Sequence, residues 1–262
     1  MKIGGFLPLS LIDYPGMPCA VVFTMGCNVR CPFCHNPDLV LNQVGGEISP
    51  EAVLESLGRR RDKLKAVCIS GGEPTIQRDL VGFVREVKLM GYKVKLDTNG
   101  SRPDVLREVL DDSLIDYAAV DIKSSPVKYL QATGGLMEFA AAAECVDLLR
   151  QAEISYELRT TAVPGLVDLE DLQQMAQLLR PVERFALQQF RPKQTLDPAF
   201  AAAVPYPAAW FEKAKNILNG CGAEVIIRGV SEIDVKRRKR TGQSVKATET
   251  LLRSLDWLEK NS

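Results

Sequence analysis

The feature that most restricts the fold of this chain is its alternation of short runs rich in β-branched residues with longer amphipathic segments. Such alternation is typical of βα units arranged around a parallel sheet. Strands are predicted at residues 19–24, 66–70, 92–98, 115–122, 154–161, 184–190 and 224–228. Helices are predicted at residues 50–63, 77–90, 103–110, 136–152, 169–179 and 207–218. We therefore expect one α/β domain over residues 1–230, followed by a segment, 231–262, with a basic run at 236–240 and a C-terminal helix at 247–259.

The composition is that of a self-contained globular domain. The chain has 262 residues, of which 46% are hydrophobic, so it can bury one substantial core. Lys and Arg together number 33, as do Asp and Glu, which gives no electrostatic reason to expect a nucleic-acid partner. The longest apolar runs fall short of the roughly 20 residues of a membrane helix. We expect a cytoplasmic protein that binds neither nucleic acid nor membranes.

Three cysteines, Cys27, Cys31 and Cys34, follow the first predicted strand with the spacing Cys-x3-Cys-x2-Cys. Three thiolates can ligate three irons of a 4Fe–4S cluster and leave the fourth iron open to a substrate. Clusters that only carry electrons usually have four protein ligands. The spacing therefore predicts a 4Fe–4S cluster with an open iron, and an enzyme.

Two other interpretations of the cysteines involve no catalysis. A structural zinc site could use His35 as its fourth ligand, although His35 directly follows Cys34 and zinc ligands normally come in two separated pairs. An iron–sulfur electron carrier is the other non-enzyme alternative. Disulfides are disfavoured because the number of cysteines, seven, is odd and no signal peptide is evident. The spacing of the other four cysteines is not that of metal ligands; they are Cys19, Cys68, Cys145 and Cys221. Burial in the core is expected for the first three, because Cys19 and Cys68 lie in predicted strands and Cys145 in a predicted helix.

Polar and glycine-rich motifs follow the next predicted strands. The sequence Gly-Gly-Glu occupies 71–73, Asp-Thr-Asn-Gly occupies 97–100, and Asp-Ile-Lys occupies 121–123. Because βα loops gather at the carboxyl ends of barrel strands, we expect these motifs to lie beside the cysteine loop. Glycines let a ligand approach the backbone, and the Glu73 carboxylate can bind an ammonium group.

The cysteine loop, from Cys27 to Pro37 with Phe33 before the third cysteine, resembles the cluster loop of radical S-adenosylmethionine (SAM) enzymes. Its Cys-His-Asn continuation resembles the glycyl-radical-enzyme activases. The opening segment, from Gly4 to Gly16, is similar to the activating proteins of anaerobic ribonucleoside-triphosphate reductase, in a form close to the pyruvate formate-lyase activating enzymes. The resemblance implies an incomplete (β/α)6 barrel with a C-terminal helical tail.

The resemblance also implies an activity. A 4Fe–4S cluster, reduced by flavodoxin or ferredoxin, would cleave SAM to a 5'-deoxyadenosyl radical that forms a glycyl radical on a partner, here anaerobic ribonucleotide reductase. Activation of pyruvate formate-lyase or another glycyl radical enzyme is the alternative. A further alternative is a small-molecule enzyme such as 7-carboxy-7-deazaguanine synthase, which usually has Asp-Thr where this chain has His35 and Asn36.

The resemblance assigns roles at the strand ends. The residues Gly71, Gly72 and Glu73 would bind the SAM amino group together with Asp97, and Lys123 would reach its carboxylate or ribose. A monovalent cation would lie among Asp97, Thr98 and Asp121. The other candidate cofactor-binding residues are Phe33, Asn99, Arg159, Gln189 and Arg191. The pyruvate formate-lyase activating enzymes tend to have a histidine near the position of Arg191, which this chain lacks.

Overall fold

The computed structural model describes residues 1–220 and 222–230. The predicted basic run 236–240, the predicted helix 247–259 and Cys221 lie outside the described residues. The chain forms two compact units that alternate along the sequence. Unit 1 comprises Met1–Asn28, Asn36–Asp121 and Ala140–Tyr156, and unit 2 comprises Val29–His35, Ile122–Phe139 and the described residues from Glu157 onward.

The strands of the described residues, in chain order, are β1 (Ile3–Ser10), β2 (Cys19–Thr24), β3 (Ala66–Gly71), β4 (Lys93–Thr98), β5 (Tyr117–Asp121), β6 (Ser155–Ala162), β7 (Arg184–Gln189) and β8 (Glu224–Arg228). The helices are α1 (Pro37–Val40), α2 (Pro50–Gly58), α3 (Leu80–Leu89), α4 (Pro103–Asp111), α5 (Tyr129–Ala132), α6 (Phe139–Gln151), α7 (Leu169–Leu178) and α8 (Ala208–Asn219). Among the described residues, no helix combines the length and the apolar character needed to cross a membrane.

Strands β1 to β5 lie in unit 1 and are hydrogen-bonded neighbours in chain order. The pairs from β2 to β5 are parallel, whereas β1 runs antiparallel to β2 at the edge. The central strands are almost wholly buried, as expected for a parallel sheet with both faces covered. Their carboxyl ends therefore lie at the same edge of the sheet.

Strands β6, β7 and β8 belong to unit 2 from Glu157 onward, and they are parallel and adjacent in chain order. Arg228 of β8 makes two hydrogen bonds, of 3.0 and 2.7 Å, to the buried carboxylate of Glu157 in β6. Asp168 caps α7 and forms a reciprocal capping box with Asp171. Lys128 binds both of these carboxylates at 2.7 Å, which ties the turn before α5 to the start of α7.

The predicted α/β class is confirmed, and each predicted strand is found with its bounds shifted by at most a few residues. Strand β1 was not predicted, because Gly4, Gly5 and Pro8 all disfavour strands. It is tolerated at the edge of the sheet, where the register shifts between Leu7 and Ser10 and Pro8 lies within that interval. The predicted burial of Cys19, Cys68 and Cys145 is confirmed.

Candidate functional site

The carboxyl ends of β2 and β3 are joined by backbone hydrogen bonds immediately before Cys27. Gly72 N donates to Thr24 O at 2.8 Å, and Glu73 N donates to Gly26 O at 2.8 Å. A Cβ at Gly72 would lie 1.9 Å from Gly26 O, and Gly71 has a φ of +117°. Both glycines are therefore required for the end of β3 to pass against the backbone that leads to the first cysteine.

Glu73 is wholly buried, and its carboxylate accepts four hydrogen bonds from the protein. Its Oε1 accepts from Thr75 N at 3.0 Å, from Thr75 Oγ1 at 2.6 Å and from Thr98 Oγ1 at 2.7 Å. Its Oε2 accepts from Asn99 N at 2.6 Å. Burial raises the pKa of Glu73, and these hydrogen bonds oppose that shift. The carboxylate, which the sequence predicted to bind a cofactor ammonium group, thus fastens the end of β4 to the turn after β3.

Asn99 connects the end of β4 to the first cysteine. Its Nδ2 lies 3.7 Å from Cys27 Sγ and 3.1 Å from Asn28 Oδ1. Its Oδ1 accepts a hydrogen bond from Ser101 N at 2.9 Å, which fixes the orientation of the amide. An N–H donor beside a ligating sulfur stabilises its negative charge and influences the potential of a bound cluster.

Asp97 forms a buried ion pair with Lys95, two residues earlier in the same strand. Ser70 Oγ donates to Asp97 Oδ2 at 3.1 Å, and Lys95 Nζ also lies 3.8 Å from Cys68 Sγ. Sequence reasoning missed Lys95. The available signal was its position on β4, because side chains two apart on a strand share a face, so a lysine at 95 accompanies the carboxylate at 97.

The other two predicted cation ligands, Thr98 and Asp121, do not share the position of Asp97. Thr98 Oγ1 donates to Glu73 and accepts a hydrogen bond from Gly100 N at 3.1 Å, so it is on the opposite face of β4 from Asp97. Asp121 ends β5 and is partly buried. Within the part of the chain that the structure describes, no three His, Cys, Asp or Glu side chains are grouped so that they could hold a metal ion.

Cys31, Phe33 and Cys34 belong to unit 2. The loop is held by its backbone, since Arg30 N donates to Thr133 O at 3.0 Å and Cys34 N donates to Cys31 O at 3.0 Å. Cys31 and Phe33 are buried, whereas Cys34, like Cys27 of unit 1, is partly exposed. The cysteines of the described residues carry no disulfide.

His35, the candidate zinc ligand, stacks on Phe190 with ring centroids 5.8 Å apart. Burial lowers the pKa of His35, which favours the neutral imidazole near neutral pH.

Gln189, at the end of β7, is the most informative of the remaining predicted residues in unit 2. Its Nε2 donates to Tyr206 O at 2.9 Å, while its buried Oε1 has no hydrogen-bond partner within the described structure. A buried acceptor without a donor is unusual, and a bound ligand can supply the donor. Arg191 is exposed just after β7, and Lys123 and Arg159 are partly exposed.

Comparison with known proteins gives a family for this arrangement. Residues 21–179 match the model of the radical SAM superfamily. A protein of Methanocaldococcus jannaschii, provisionally described as a glycyl-radical enzyme activating enzyme, is 36% identical over 212 residues, covering 76% of this chain and 83% of that protein. The pyruvate formate-lyase-activating enzyme of Clostridium pasteurianum is 29% identical over 207 residues, covering 74% and 83%.

Among solved structures, a radical SAM methyltransferase from Sphaerobacter thermophilus superposes with a TM-score of 0.64 at 15% identity, covering 84% of this chain and 68% of that one. At this identity the likeness shows the fold alone.

Proposed function

The chain belongs to the radical SAM superfamily, and we propose that it is an activase that forms a glycyl radical on anaerobic ribonucleoside-triphosphate reductase. Membership of the family makes it an enzyme and implies a 4Fe–4S cluster and SAM as its cofactors. The relatives from Methanocaldococcus jannaschii and Clostridium pasteurianum support assignment to the activases of glycyl radical enzymes. The choice of the reductase depends on the resemblance of the opening segment 4–16.

The spacing of the three cysteines is that of the cluster ligands that the family requires. Cys27, Cys31 and Cys34 would ligate three irons, since the thiols carry no disulfide and two of them are partly exposed. The single observation that carries this assignment is the contact of Asn99 Nδ2 with Cys27 Sγ, because an amide donor at 3.7 Å suits a thiolate that ligates a metal. When bound, the cluster and SAM supply the radical that removes hydrogen from a glycine Cα of the partner.

The residues of this chain would bind and orient SAM. Lys123, Arg159 and Arg191 are cations that suit a carboxylate, and Gln189 Oε1 is a buried acceptor that suits an amino or hydroxyl donor. Asp97 would attract the ammonium of the methionine moiety. It lies near the carboxyl end of β4, where Ser70 of β3 and Lys95 hold its carboxylate. Phe33 would exclude water from the neighbouring thiolates, because its ring is buried and it lies between the second and third cysteines in the sequence.

The test of this proposal is anaerobic reconstitution followed by radical transfer. Wild-type protein should bind four irons and, with SAM and a strong reductant, produce a glycyl radical on the reductase that electron paramagnetic resonance detects. Cys27→Ser should lose most of the iron, whereas Cys19→Ala, a buried cysteine of β2 outside the motif, should keep it. A radical on pyruvate formate-lyase but none on the reductase would reassign the partner. Stoichiometric zinc without iron would refute the proposed activity.

The electron donor and the location also stay proposals. We propose flavodoxin or ferredoxin as donor, because the reaction needs a one-electron reductant of low potential. We propose the cytoplasm as the location, where such donors work and thiols stay reduced. Replacing the chemical reductant in the radical assay by purified flavodoxin or ferredoxin, each reduced beforehand, tests the first point, and the absence of a radical with both proteins would contradict it.

A further inference from the structure

The ion pair between Lys95 and Asp97 lies where the sequence resemblance would place a monovalent cation. The two side chains are 3% and 10% exposed, so both charges are withdrawn from water. Burying an ammonium group costs several kcal/mol unless a carboxylate or similar acceptor compensates it. Lys95 is compensated by Asp97, and Asp97 in turn accepts a further hydrogen bond from Ser70.

The surroundings of Lys95 are those of a core rather than of a solvent channel. Its Nζ lies 3.8 Å from Cys68 Sγ and 5.9 Å from the ring centroid of Tyr117. Both of these residues belong to an apolar cluster, which also contains Tyr14, Cys19, Val21 and Ala66. Lys95 is therefore held in one position by packing, and its ammonium pairs with Asp97 directly.

Two of the three side chains predicted as ligands, Asp97 and Thr98, do not fit a monovalent cation in this arrangement. A hard cation needs several oxygen ligands that converge on it. One Asp97 oxygen pairs with Lys95 and the other accepts from Ser70, while the Thr98 hydroxyl is directed to Glu73 on the other face of β4.

We infer that Lys95 is a positioning residue that supplies, through its covalently attached ammonium, the positive charge beside Asp97. The protein therefore needs no added Na⁺ or K⁺ to orient Asp97 toward its ligand. As far as the ligand is SAM, this inference rests on the proposed function. The ion pair itself, and its effect on the stability of the metal-free protein, are independent of the proposed function.

The first experiment uses thermal unfolding of the metal-free protein at equal ionic strength in KCl, NaCl and tetramethylammonium chloride. Wild-type protein should have the same Tm in all three salts. Lys95→Met removes the ammonium that compensates the buried Asp97 carboxylate, so the Tm of this variant should fall by roughly 10 °C in tetramethylammonium. Part of that loss should be recovered in K⁺ or Na⁺, because a small cation can then occupy the place of the ammonium.

Two further variants keep the test decisive. Lys93→Met removes a lysine from the same face of β4 that is 55% exposed and pairs with Asp116, and its Tm should not depend on the cation. If Lys95→Met does not fold, the double variant Lys95→Met/Asp97→Asn removes both charges and should fold with a cation-independent Tm. A wild-type Tm that rises in K⁺ or Na⁺, or a Lys95→Met Tm that is insensitive to the cation, would overturn the inference.

The second experiment measures SAM affinity of the reconstituted protein in the same salts. The wild-type Kd should agree within about twofold across salts, and the Kd of Lys95→Met should be roughly tenfold weaker in tetramethylammonium than in K⁺, the equivalent of one lost charge contact. A wild-type Kd that improves several-fold in K⁺ contradicts the role of Lys95. Failure to bind SAM in any salt would count against the proposed function, while the Tm series would still decide the role of the lysine.

Discussion

Replacing Glu73 by alanine tests whether this carboxylate organises the edge of the sheet that carries Cys27. Its four hydrogen bonds come from two backbone N–H groups, of Thr75 and Asn99, and two hydroxyls, of Thr75 and Thr98. The hydroxyls can rotate toward other acceptors, but the amides cannot. We therefore expect Glu73→Ala to leave two buried amides without an acceptor.

The expected size of the effect follows from those two amides. A buried donor left without a partner costs about 1–3 kcal/mol, so the loss should be about 2–6 kcal/mol before any cavity is counted. This is a large part of the roughly 5–15 kcal/mol by which a folded protein is stable. Glu73→Gln keeps the volume and one acceptor oxygen, and should lose about half as much because only Asn99 N then faces an NH2 group.

Urea unfolding of the metal-free protein, followed by circular dichroism, measures these losses. Glu47→Ala, at an exposed position, is the control and should change the free energy of unfolding by less than about 0.5 kcal/mol. If Glu73→Ala does not fold, Glu73→Gln still gives a value. A loss below about 1 kcal/mol for Glu73→Ala would refute the view that the carboxylate holds these donors.

The same residue gives a pH dependence of known sign. Burial raises the pKa of Glu73 above its ordinary value of 4.5, so the folded protein binds this proton more tightly than the unfolded chain. Its contribution is then fully present below pH 4.5 and is lost as the pH rises through the folded-state pKa. The difference in unfolding free energy between wild type and Glu73→Gln should therefore shrink as the pH increases; a growing difference would contradict the sign.

Three further substitutions test other contacts. Gly72→Ala places a Cβ 1.9 Å from a backbone oxygen and should cost at least about 2 kcal/mol in urea unfolding, whereas Gly82→Ala, with no atom near its Cβ, should be neutral or stabilising. Asn99→Ala removes a donor to the first cysteine and should lower the cluster potential by about 40 mV in a redox titration, the equivalent of roughly 1 kcal/mol, and an unchanged potential would exclude this role. Arg228→Met leaves the carboxylate of Glu157 buried and should cost about 3 kcal/mol; stability equal to wild type would show that the pair contributes nothing.

The sequence alone determined the α/β class and the chemistry of the cysteine loop. Hydrophobic periodicity is a property of neighbouring residues, so it predicted the parallel strands that the structure contains. The spacing of Cys27, Cys31 and Cys34 within eight residues predicted the family, because ligand spacing in a short loop needs no knowledge of distant contacts. The strand that local propensity failed to predict, β1, is stabilised by pairing with β2 rather than by its own residues.

Only the tertiary structure decided which partners the polar residues of the strand ends acquire. Glu73 lies 26 residues from Asn99, and Ser70 lies 27 residues from Asp97. The parallel register of β3 and β4 sets these pairs, with Cys68 beside Lys95. A carboxylate in a glycine-rich turn is equally able to face a ligand or the protein, and the choice depends on whether folding brings donors to it. Here the register brings the hydroxyl of Thr98 and the amide of Asn99 to Glu73, which also accepts two hydrogen bonds from Thr75 in its own turn. Asp97 is compensated by Lys95 of the same strand, because burial in the central strands leaves each charge to be compensated within the protein.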